Sequence, residues 1–354
     1  LKIFNLTIMA TCFKLKPESS MLKCLKINWP YFVTLNPIQA LIAHDMKAVD
    51  RVIQHSLRSE VSLINTIGEH IIASGGKRLR PALVLLSSGI FGEIKSHQHE
   101  LAAIVEFIHT ATLLHDDVVD ESQLRRGKST ANHLFGNAAS VLVGDFLYSR
   151  AFQMMVKLQN MRVMEILSEA TNIISEGEVL QLLNIHNANV TEQDYLRVIH
   201  FKTAKLFEAA ARLGAVTCSA NNKDENALAS YGMHLGTAFQ LIDDVLDLSG
   251  DVNQIGKNLG DDLSEGKPTL PLLVALSRGN ATQAATIRNA IEKGGLDELA
   301  AVLATVKATD ALNYVRELAE KEARLGCEAI SHLPDSMHKA ALINLAEFAV
   351  KRDF

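Results

Sequence analysis

The sequence predicts an all-α protein built as one domain from about residue 37 onward. Apolar residues recur three and four positions apart, as in amphipathic helices, and no stretch sustains the alternation of a strand. Short clusters of Gly, Asn, Asp, Ser or Pro separate these segments, and none resembles a linker between domains. A hydrophobic content of 48% in 354 residues is sufficient for a large core. We therefore expect about ten to thirteen helices in a single large bundle.

Residues 1–36 differ in composition from the rest of the chain. They contain five lysines and a single acidic residue, Glu18, between short apolar patches. No apolar run in this segment is long enough to span a bilayer. A targeting or membrane-surface segment is the alternative, but chain ends are commonly disordered. We expect residues 1–36 to be a basic N-terminal extension, disordered or mis-assigned, followed by a folded domain over residues 37–354.

The overall charge and the cysteines exclude several classes of partner and site. The formal net charge of −5 provides no general attraction to nucleic acid, so we expect no nucleic-acid partner. The cysteines are widely separated and form no CxxC pair, which argues against a disulfide framework or a zinc site. They are Cys12, Cys24, Cys218 and Cys327. A reducing cytoplasm fits this pattern, and we expect a cytoplasmic protein.

Two short aspartate motifs each end an apolar helical run. They read DDVVD and DDVLD and comprise Asp116, Asp117, Asp120, Asp243, Asp244 and Asp247. Carboxylates four residues apart lie on one helix face and repel, and the negative end of the helix dipole adds to the cost. A divalent cation removes both penalties, and Mg²⁺ typically takes one or two carboxylates together with phosphate oxygens. The motifs therefore favour magnesium sites, with a solvated acidic helix end as the alternative for either motif alone.

Basic residues recur beside these motifs. They are Lys77 and Arg80 in GGKRLRP, Arg125 and Arg126 after the first motif, and Lys202, followed by Thr203, in HFKTAKLF. Each alone resembles a solvated surface cation, but together with two magnesium sites they suggest two bound diphosphate groups. His109 shares a helix face with Asp116, seven residues later. Helix geometry by itself favours a core histidine over a ligand there, so its role stays open at this point.

Six motifs resemble, in order, those of the trans-isoprenyl diphosphate synthases. They are GGKRLRP, LLHDDVVDESQLRRG, GEVLQL, FKTAKLF, GTAFQLIDDVLD and GKNLGDDLSEGKPTLPL, and the similarity runs from about residue 40 to the C-terminus. The resemblance implies an all-α bundle of the isoprenoid synthase type around a deep central cavity, usually a homodimer, with residues 37–354 as the polyprenyl synthase domain. Such enzymes condense isopentenyl diphosphate onto an allylic diphosphate. Among these enzymes, the sequence looks closest to the long-chain members that make an octaprenyl diphosphate for the side chain of ubiquinone or menaquinone.

The resemblance also implies roles for individual residues. It assigns the six motif aspartates to about two or three Mg²⁺ ions, and Asp116, Asp117, Asp120, Arg125, Lys202, Asp243 and Asp244 to catalysis. Isopentenyl diphosphate is expected at Lys77, Arg80, His109 and Arg126. The allylic diphosphate, farnesyl diphosphate for a long-chain member, is expected at Arg125, Lys202, Thr203, Gln240, Lys257 and Lys267. Lys257 and Lys267 belong to a glycine-rich flap that would close over the phosphates.

Small residues before the first motif predict a long product. Short-chain members of the family place aromatic side chains at one or both of the positions matching Ala111 and Thr112, which are small here. We expect a tunnel that runs past Thr112 to a floor formed among Phe107, Ile108, Phe152, Met154 and Met155, although ordinary core packing explains the same side chains. Ala111→Tyr should then shorten the product.

Four other functions compete with this interpretation. The chain could be a short-chain prenyl diphosphate synthase, a class I terpene cyclase, a non-catalytic subunit of a heteromeric synthase or a helical metal-binding module. Cyclases usually carry a mixed Asn, Ser and Glu motif at the second position, whereas DDVLD is all aspartate. The two non-enzymatic alternatives, a non-catalytic subunit and a metal-binding module, need not keep both aspartate motifs together with the basic residues. We expect at most peripheral membrane contact, for product release.

Overall fold

The computed structural model describes residues 35–73, 75–249 and 259–352, and these belong to one compact unit. Residues 1–34, which make up most of the expected N-terminal extension, lie outside the described residues, and so does Lys257. The first helices are α1 (Asn36–Leu41), α2 (Ala43–Leu57), α3 (Ser62–Ala73), α4 (Leu79–Gly89), α5 (Ser96–Val119), α6 (Ala131–Phe135), α7 (Asn137–Lys157) and α8 (Met161–Asn184). The next are α9 (Glu192–Ile199), a π-turn (His200–Ala204), α10 (Lys205–Thr217) and α11 (Asn222–Ser249). The last are α12 (Asp261–Ser264), α13 (Leu270–Arg278), α14 (Ala281–Lys293), α15 (Leu299–Ala308), α16 (Ala311–Ala329) and α17 (Met337–Lys351).

The predicted all-α fold is confirmed, with two differences in detail. The described part of the chain has more helices than expected, because short helices such as α1, α6 and α12 have too few residues to show an apolar repeat. It also contains two strands of two residues each, β1 (Leu124–Arg125) and β2 (Lys128–Ser129), paired antiparallel. Gly127 between them has φ of 73°, a left-handed conformation that glycine adopts without strain. This hairpin follows the first aspartate motif directly.

The core is built around α5, α10 and α11. Helix α5 packs along α4 and α7, α10 along α4 and α11, and α11 along α16. Their side chains include the largest fully buried ones among the described residues, Phe107, Phe207 and Tyr231. Because these helices are apolar on most sides, they form the centre of the bundle rather than its surface. Both aspartate motifs lie at the C-terminal ends of these central helices, on α5 and α11.

The segment between α8 and α10 is fixed by local sequence signals. Thr191 and Asp194 form the predicted capping box: the Asp194 amide donates to Thr191 Oγ1 and the Thr191 amide donates to Asp194 Oδ2. Helix α9 therefore begins at Glu192. It ends in the π-turn that carries Lys202, and single π-turns of this kind occur often at functional sites.

Gly177 allows α8 to approach the π-turn closely. A Cβ atom built at this position would lie 2.6 Å from the backbone nitrogen of Lys202. Any larger residue would therefore push the π-turn away from α8. The GEVLQL motif thus begins with a residue whose small size sets the position of Lys202.

Candidate active site

A large cavity of about 820 Å³ opens among α4, α5, α8, α11 and the π-turn. Its lining includes most of the polar residues singled out in the sequence. From the aspartate motifs these are Asp116, Asp120, Asp243, Asp244 and Asp247, and from the basic segments Lys77, Arg80, Arg125, Arg126, Lys202 and Lys267. His109, Thr203 and Gln240 also line it. Glu178 of the GEVLQL motif lines it as well, so residues from all six motifs share one cavity.

Asp116 and Asp120 of the first motif face the cavity and are paired with lysines from distant elements. Lys202 Nζ lies 3.7 Å from Asp116 Oδ1, and Lys267 Nζ donates to Asp120 Oδ2 at 2.9 Å. Burial favours the neutral form of both lysines, but the nearby carboxylates outweigh it and raise their pKa. The lysine charges therefore compensate the repulsion between the two carboxylates.

Asp117 is turned away from the cavity. Its side chain is wholly buried, and its Oδ1 accepts hydrogen bonds from Arg125 Nε at 2.9 Å and Arg125 Nη2 at 2.7 Å. Its backbone carbonyl accepts from Asn132 Nδ2 at 2.9 Å. Burial raises the pKa of Asp117. In this arrangement Asp117 holds the Arg125 guanidinium at the cavity wall, so the two residues act as a unit.

The second motif differs from the first in its partners. Asp243 Oδ1 lies 2.6 Å from Arg352 Nη2, a residue just beyond the last helix. Asp244 is almost completely buried and accepts from Tyr195 Oη at 2.6 Å and from Gln240 Nε2 at 2.8 Å. Burial, followed by the charge of Asp262, raises the pKa of Asp244 well above its usual range. The second motif therefore combines one ion-paired carboxylate with one that is held by neutral donors.

These carboxylates fit a divalent cation that is shared with a phosphate ligand. Within the described ranges, no three His, Cys, Asp or Glu side chains converge closely enough to hold a metal ion by themselves. Mg²⁺ does not need such a cage, because it takes one or two carboxylates and completes its shell with water and phosphate oxygens. Asp116, Asp120 and Asp243 suit this role, since each is paired with a protein cation that a metal ion could replace.

The basic residues of α4 meet His109 on a second part of the wall. Arg80 Nη1 lies 3.0 Å from His109 Nε2, and its guanidinium lies 4.4 Å from the centre of the Phe207 ring. Burial, and then the charge of Arg80, lower the pKa of His109 well below its usual value. His109 is therefore neutral and accepts from Arg80 at Nε2. This pairing makes His109 part of the site rather than an isolated core histidine.

Lys77 and Arg126 complete this cationic cluster. Burial, and then the charge of Arg352, lower the pKa of Lys77 to about 8. Burial also lowers the pKa of Arg80, to about 10. Arg126 Nη1 donates to the carbonyl of Gly75. Groups whose pKa values are lowered by burial and like charge gain most from an anionic ligand, so the cluster is suited to a diphosphate.

Lys202 and Thr203 reach the cavity from the π-turn. Lys202 Nζ donates to Glu178 Oε2 at 2.5 Å. Burial, and then the charge of Asp116, raise the pKa of Glu178. Thr203 Oγ1 donates to Gln240 Oε1 at 3.0 Å. Gln240 thus joins Thr203 to the second aspartate motif.

A small cavity of about 80 Å³ lies beside Asp116. Asp116, Thr112 and Glu178 line both this cavity and the large one, and the rest of its lining is Ile108, His115, Tyr148, Thr171, Ile174 and Ser175. Of the side chains expected at a tunnel floor, Ile108 lines it, whereas Phe107, Phe152, Met154 and Met155 line neither cavity. Ala111 is wholly buried and lines neither cavity.

Several residues of the site carried no assignment from the sequence. They are Arg78, Glu106, Glu178, Tyr195, Phe239, Asp262 and Arg352. Glu178 lies in the motif GEVLQL and Asp262 in the motif GKNLGDDLSEGKPTLPL. The resemblance of these two motifs to the family is the signal that could have identified both residues. Arg78 follows Lys77 and donates to Glu106 Oε1 at 2.7 Å. Arg352 had no local signal, because its position depends on how the last helix packs.

The chain is similar over most of its length to proteins whose family is known. The sequence profile of the polyprenyl synthetase family matches residues 61–306. The octaprenyl diphosphate synthase of Escherichia coli (strain K12) is 52% identical over 322 residues, which cover 91% of this chain and 100% of that protein. The octaprenyl diphosphate synthase of Haemophilus influenzae is 49% identical over 326 residues, which cover 91% of this chain and 98% of that protein.

A solved structure shares both the fold and much of the sequence. It is a polyprenyl synthase from Caulobacter crescentus CB15 complexed with calcium and isoprenyl diphosphate, with a TM-score of 0.88 and 43% identity. The alignment covers 92% of this chain and 100% of that one. The profile match extends over more than half of the chain and includes both aspartate motifs. The chain belongs to the polyprenyl synthetase family.

Proposed function

We propose that the chain is a long-chain trans-polyprenyl diphosphate synthase. It condenses isopentenyl diphosphate units onto an allylic diphosphate, farnesyl diphosphate, to give an octaprenyl diphosphate for the side chain of ubiquinone or menaquinone. The observation that carries the proposal is one cavity in which two aspartate motifs meet a cationic cluster. The octaprenyl diphosphate synthases at 52% and 49% identity support this product class. They do not favour a short-chain synthase, a terpene cyclase or a non-catalytic subunit.

The allylic diphosphate binds at the aspartate motifs. About two or three Mg²⁺ ions, held by Asp116, Asp120 and Asp243 with phosphate oxygens, would supply charge compensation for the departing diphosphate. Arg125, fixed by Asp117, and Lys202 add direct cationic contacts. The calcium and isoprenyl diphosphate in the relative from C. crescentus support a divalent cation at such a site.

Isopentenyl diphosphate binds at the cationic cluster of Lys77, Arg80 and Arg126. Neutral His109 orients the Arg80 guanidinium by accepting a hydrogen bond from it. Arg352, which lies beside Lys77 and Asp243, adds a further cation to this part of the cavity. These groups hold the substrate as an anion and leave its double bond free to react.

The reaction then follows from the positions of the two diphosphates. The allylic carbon–oxygen bond breaks, and the cationic and hydrogen-bonding groups around the diphosphate stabilise its developing charge. The double bond of isopentenyl diphosphate attacks the allylic carbon and a carbon–carbon bond forms. The released diphosphate takes up the proton that the new chain then loses. The product is an allylic diphosphate one isoprene unit longer, and it serves as substrate for the next cycle.

The growing chain extends from the large cavity past Thr112 into the small one. Thr112 and Asp116 line both spaces, so a chain attached at the aspartates has a direct path between them. Ile108, Tyr148, Thr171 and Ile174 supply the further lining of this path. Because an octaprenyl chain needs much more room than about 80 Å³, these side chains must move apart as the chain lengthens.

The functional unit is proposed to be a homodimer. Helices α7 and α8 expose large apolar side chains that are unusual on a monomer surface. They are Val141, Leu142, Val156, Met161, Val179, Leu182 and Leu183. A second copy is the proposed partner, because the same apolar side chains on both copies can cover one another around a two-fold axis. Leu142→Glu combined with Leu183→Glu should convert a dimer to a monomer in sedimentation analysis, and an unchanged mass would contradict this assignment.

The lengths and apolar content of the helices bear on membrane association. Among the described residues, no helix combines the length and the apolar character that crossing a bilayer requires. A cytoplasmic location and a peripheral membrane contact for product release stay predictions. Cell fractionation of the tagged chain would test the location directly.

The proposed reaction has a direct assay. The purified chain is incubated with isopentenyl diphosphate, farnesyl diphosphate and Mg²⁺, and the products are identified by mass. Octaprenyl diphosphate is the expected product. Asp116→Asn should lower kcat by about a hundredfold or more, since a metal ligand contributes several kcal/mol to charge stabilisation. The matched control is Asp335→Asn, at an exposed carboxylate outside the cavity. Absence of condensation by the unaltered chain would refute the proposal.

A further inference from the structure

A connected set of hydrogen bonds joins α9, the π-turn and α11 around Asp244. Tyr195 Oη donates to Asp244 Oδ2 at 2.6 Å, and Gln240 Nε2 donates to Asp244 Oδ1 at 2.8 Å. Gln240 Oε1 in turn accepts from Thr203 Oγ1 at 3.0 Å. All four residues line the large cavity. The set therefore connects the second aspartate motif to the turn that carries Lys202.

Tyr195 is the residue in this set that the sequence motifs did not assign to the site. It is only 6% exposed, and Asp244 is 2% exposed. A buried carboxyl group is costly unless polar partners satisfy its oxygens, and here each oxygen has one donor. Without the phenol hydroxyl, Oδ2 of Asp244 would lose that donor. The carboxyl group would then be held by Gln240 alone.

We propose that Tyr195 is a positioning residue for the second aspartate motif. Its hydroxyl fixes the orientation of Asp244 and, through Gln240 and Thr203, the position of the π-turn relative to α11. The motif is thereby held in the geometry in which its carboxylates and Lys202 serve one diphosphate. Partners of this kind orient metal-binding carboxylates, and their loss costs about 10–100-fold in metal affinity or activity. This inference rests on the proposed function.

A purely structural role for the hydroxyl is the competing explanation, and the chain contains a matched control. Tyr231 is wholly buried on α11, and its Oη donates to the carbonyl of Leu342 at 2.6 Å. It does not line the large cavity. Tyr231→Phe removes a buried hydrogen bond of the same length as Tyr195→Phe does. The two variants therefore separate loss of a buried hydrogen bond from loss of the contact with Asp244.

The test compares ligand affinity in the two variants. Binding of Mg²⁺ together with farnesyl thiodiphosphate, which resists ionisation, is measured by titration calorimetry on the full chain. Tyr195→Phe should weaken this binding about tenfold or more and lower kcat by about 10–100-fold. The KM for isopentenyl diphosphate should change by less than about twofold, because the cationic cluster is intact. Tyr231→Phe should keep both affinity and kcat, and both variants should lose roughly the same few degrees of melting temperature.

Each outcome decides between specific alternatives. If Tyr195→Phe binds the Mg²⁺ complex as Tyr231→Phe does, the hydroxyl is structural and the inference is wrong, although the proposed function stands. If the unaltered chain does not condense the substrates, the proposed function itself fails. If Tyr195→Phe does not fold, Gln240→Leu removes the other donor to Asp244. That variant must then show the same loss of affinity, and normal binding would overturn the inference.

Discussion

Thr112 provides the sharpest test of how product length is set. It lies one turn before Asp116 on α5, lines both cavities, and its Oγ1 donates to the His109 carbonyl at 2.9 Å. The space beyond it measures about 80 Å³ and is bounded by Tyr148 and Ile174. A tyrosine side chain at position 112 would project into that space. We therefore expect Thr112→Tyr to stop elongation early.

The size of the effect follows from packing. In Thr112→Tyr the tyrosine ring would fill this space, and forcing further atoms into a filled space costs about 1–3 kcal/mol. A growing chain that must displace the new ring would therefore elongate about 5–150 times more slowly beyond that point. The first condensation onto farnesyl diphosphate should change by less than about threefold, because the aspartates and cations are intact. Shortened products should accumulate while total isopentenyl incorporation in the first cycle stays near normal.

The assay is the mass distribution of products at equal extent of reaction. Thr112→Val is the matched control, since it removes the hydroxyl and keeps the volume, and it should give the unaltered chain's products. Melting temperatures verify that both variants are folded. An unchanged product distribution from folded Thr112→Tyr would refute this account of the path past Thr112.

Two further predictions concern the cationic cluster and the π-turn. Because the pKa of Lys77 is lowered to about 8, Lys77 is charged below that pH and neutral above it. The KM for isopentenyl diphosphate should therefore rise about tenfold from about pH 7 to about pH 9, and Lys77→Arg should abolish the rise, since arginine stays charged. A KM that is flat with pH in the unaltered chain would contradict this. Gly177→Ala should lower kcat and reduce the free energy of unfolding by about 1–3 kcal/mol, because its Cβ would meet the Lys202 backbone at 2.6 Å. Gly326→Ala, with its nearest contact at 3.3 Å, is the control, and equal denaturation midpoints would argue against the clash.

The helices and the aspartate motifs were predictable because their signals are local. Apolar spacing indicates a helix wherever it occurs, and the capping box at Thr191 and Asp194 marks the start of α9 within four residues. The residues expected at the site were assigned from a different signal. Six long motifs resemble those of one family, and the site residues in them could be assigned by position. Their assembly in a single cavity agrees with that assignment.

Side-chain direction was less predictable. Helix geometry places Asp116 and Asp120 on one face, and both line the cavity. The same geometry leaves Asp117 only about 100° away, and its burial against Arg125 depends on the hairpin that follows. The expected floor side chains Phe152 and Met155 satisfy the apolar pattern of α7 whether they face a tunnel or the core. Periodicity cannot separate those two cases.

The family and the all-α fold of this chain can be read from its sequence, as can the two aspartate motifs and the recurrent basic residues. The partners of these charged groups are visible only once the helices are packed. Arg352 reaches Asp243 across 109 residues and Tyr195 reaches Asp244 across 49. Such contacts depend on how whole helices pack, and no local spacing records them. The physical reason is that helix formation is governed by neighbours in sequence, whereas burial and ion pairing are governed by neighbours in space.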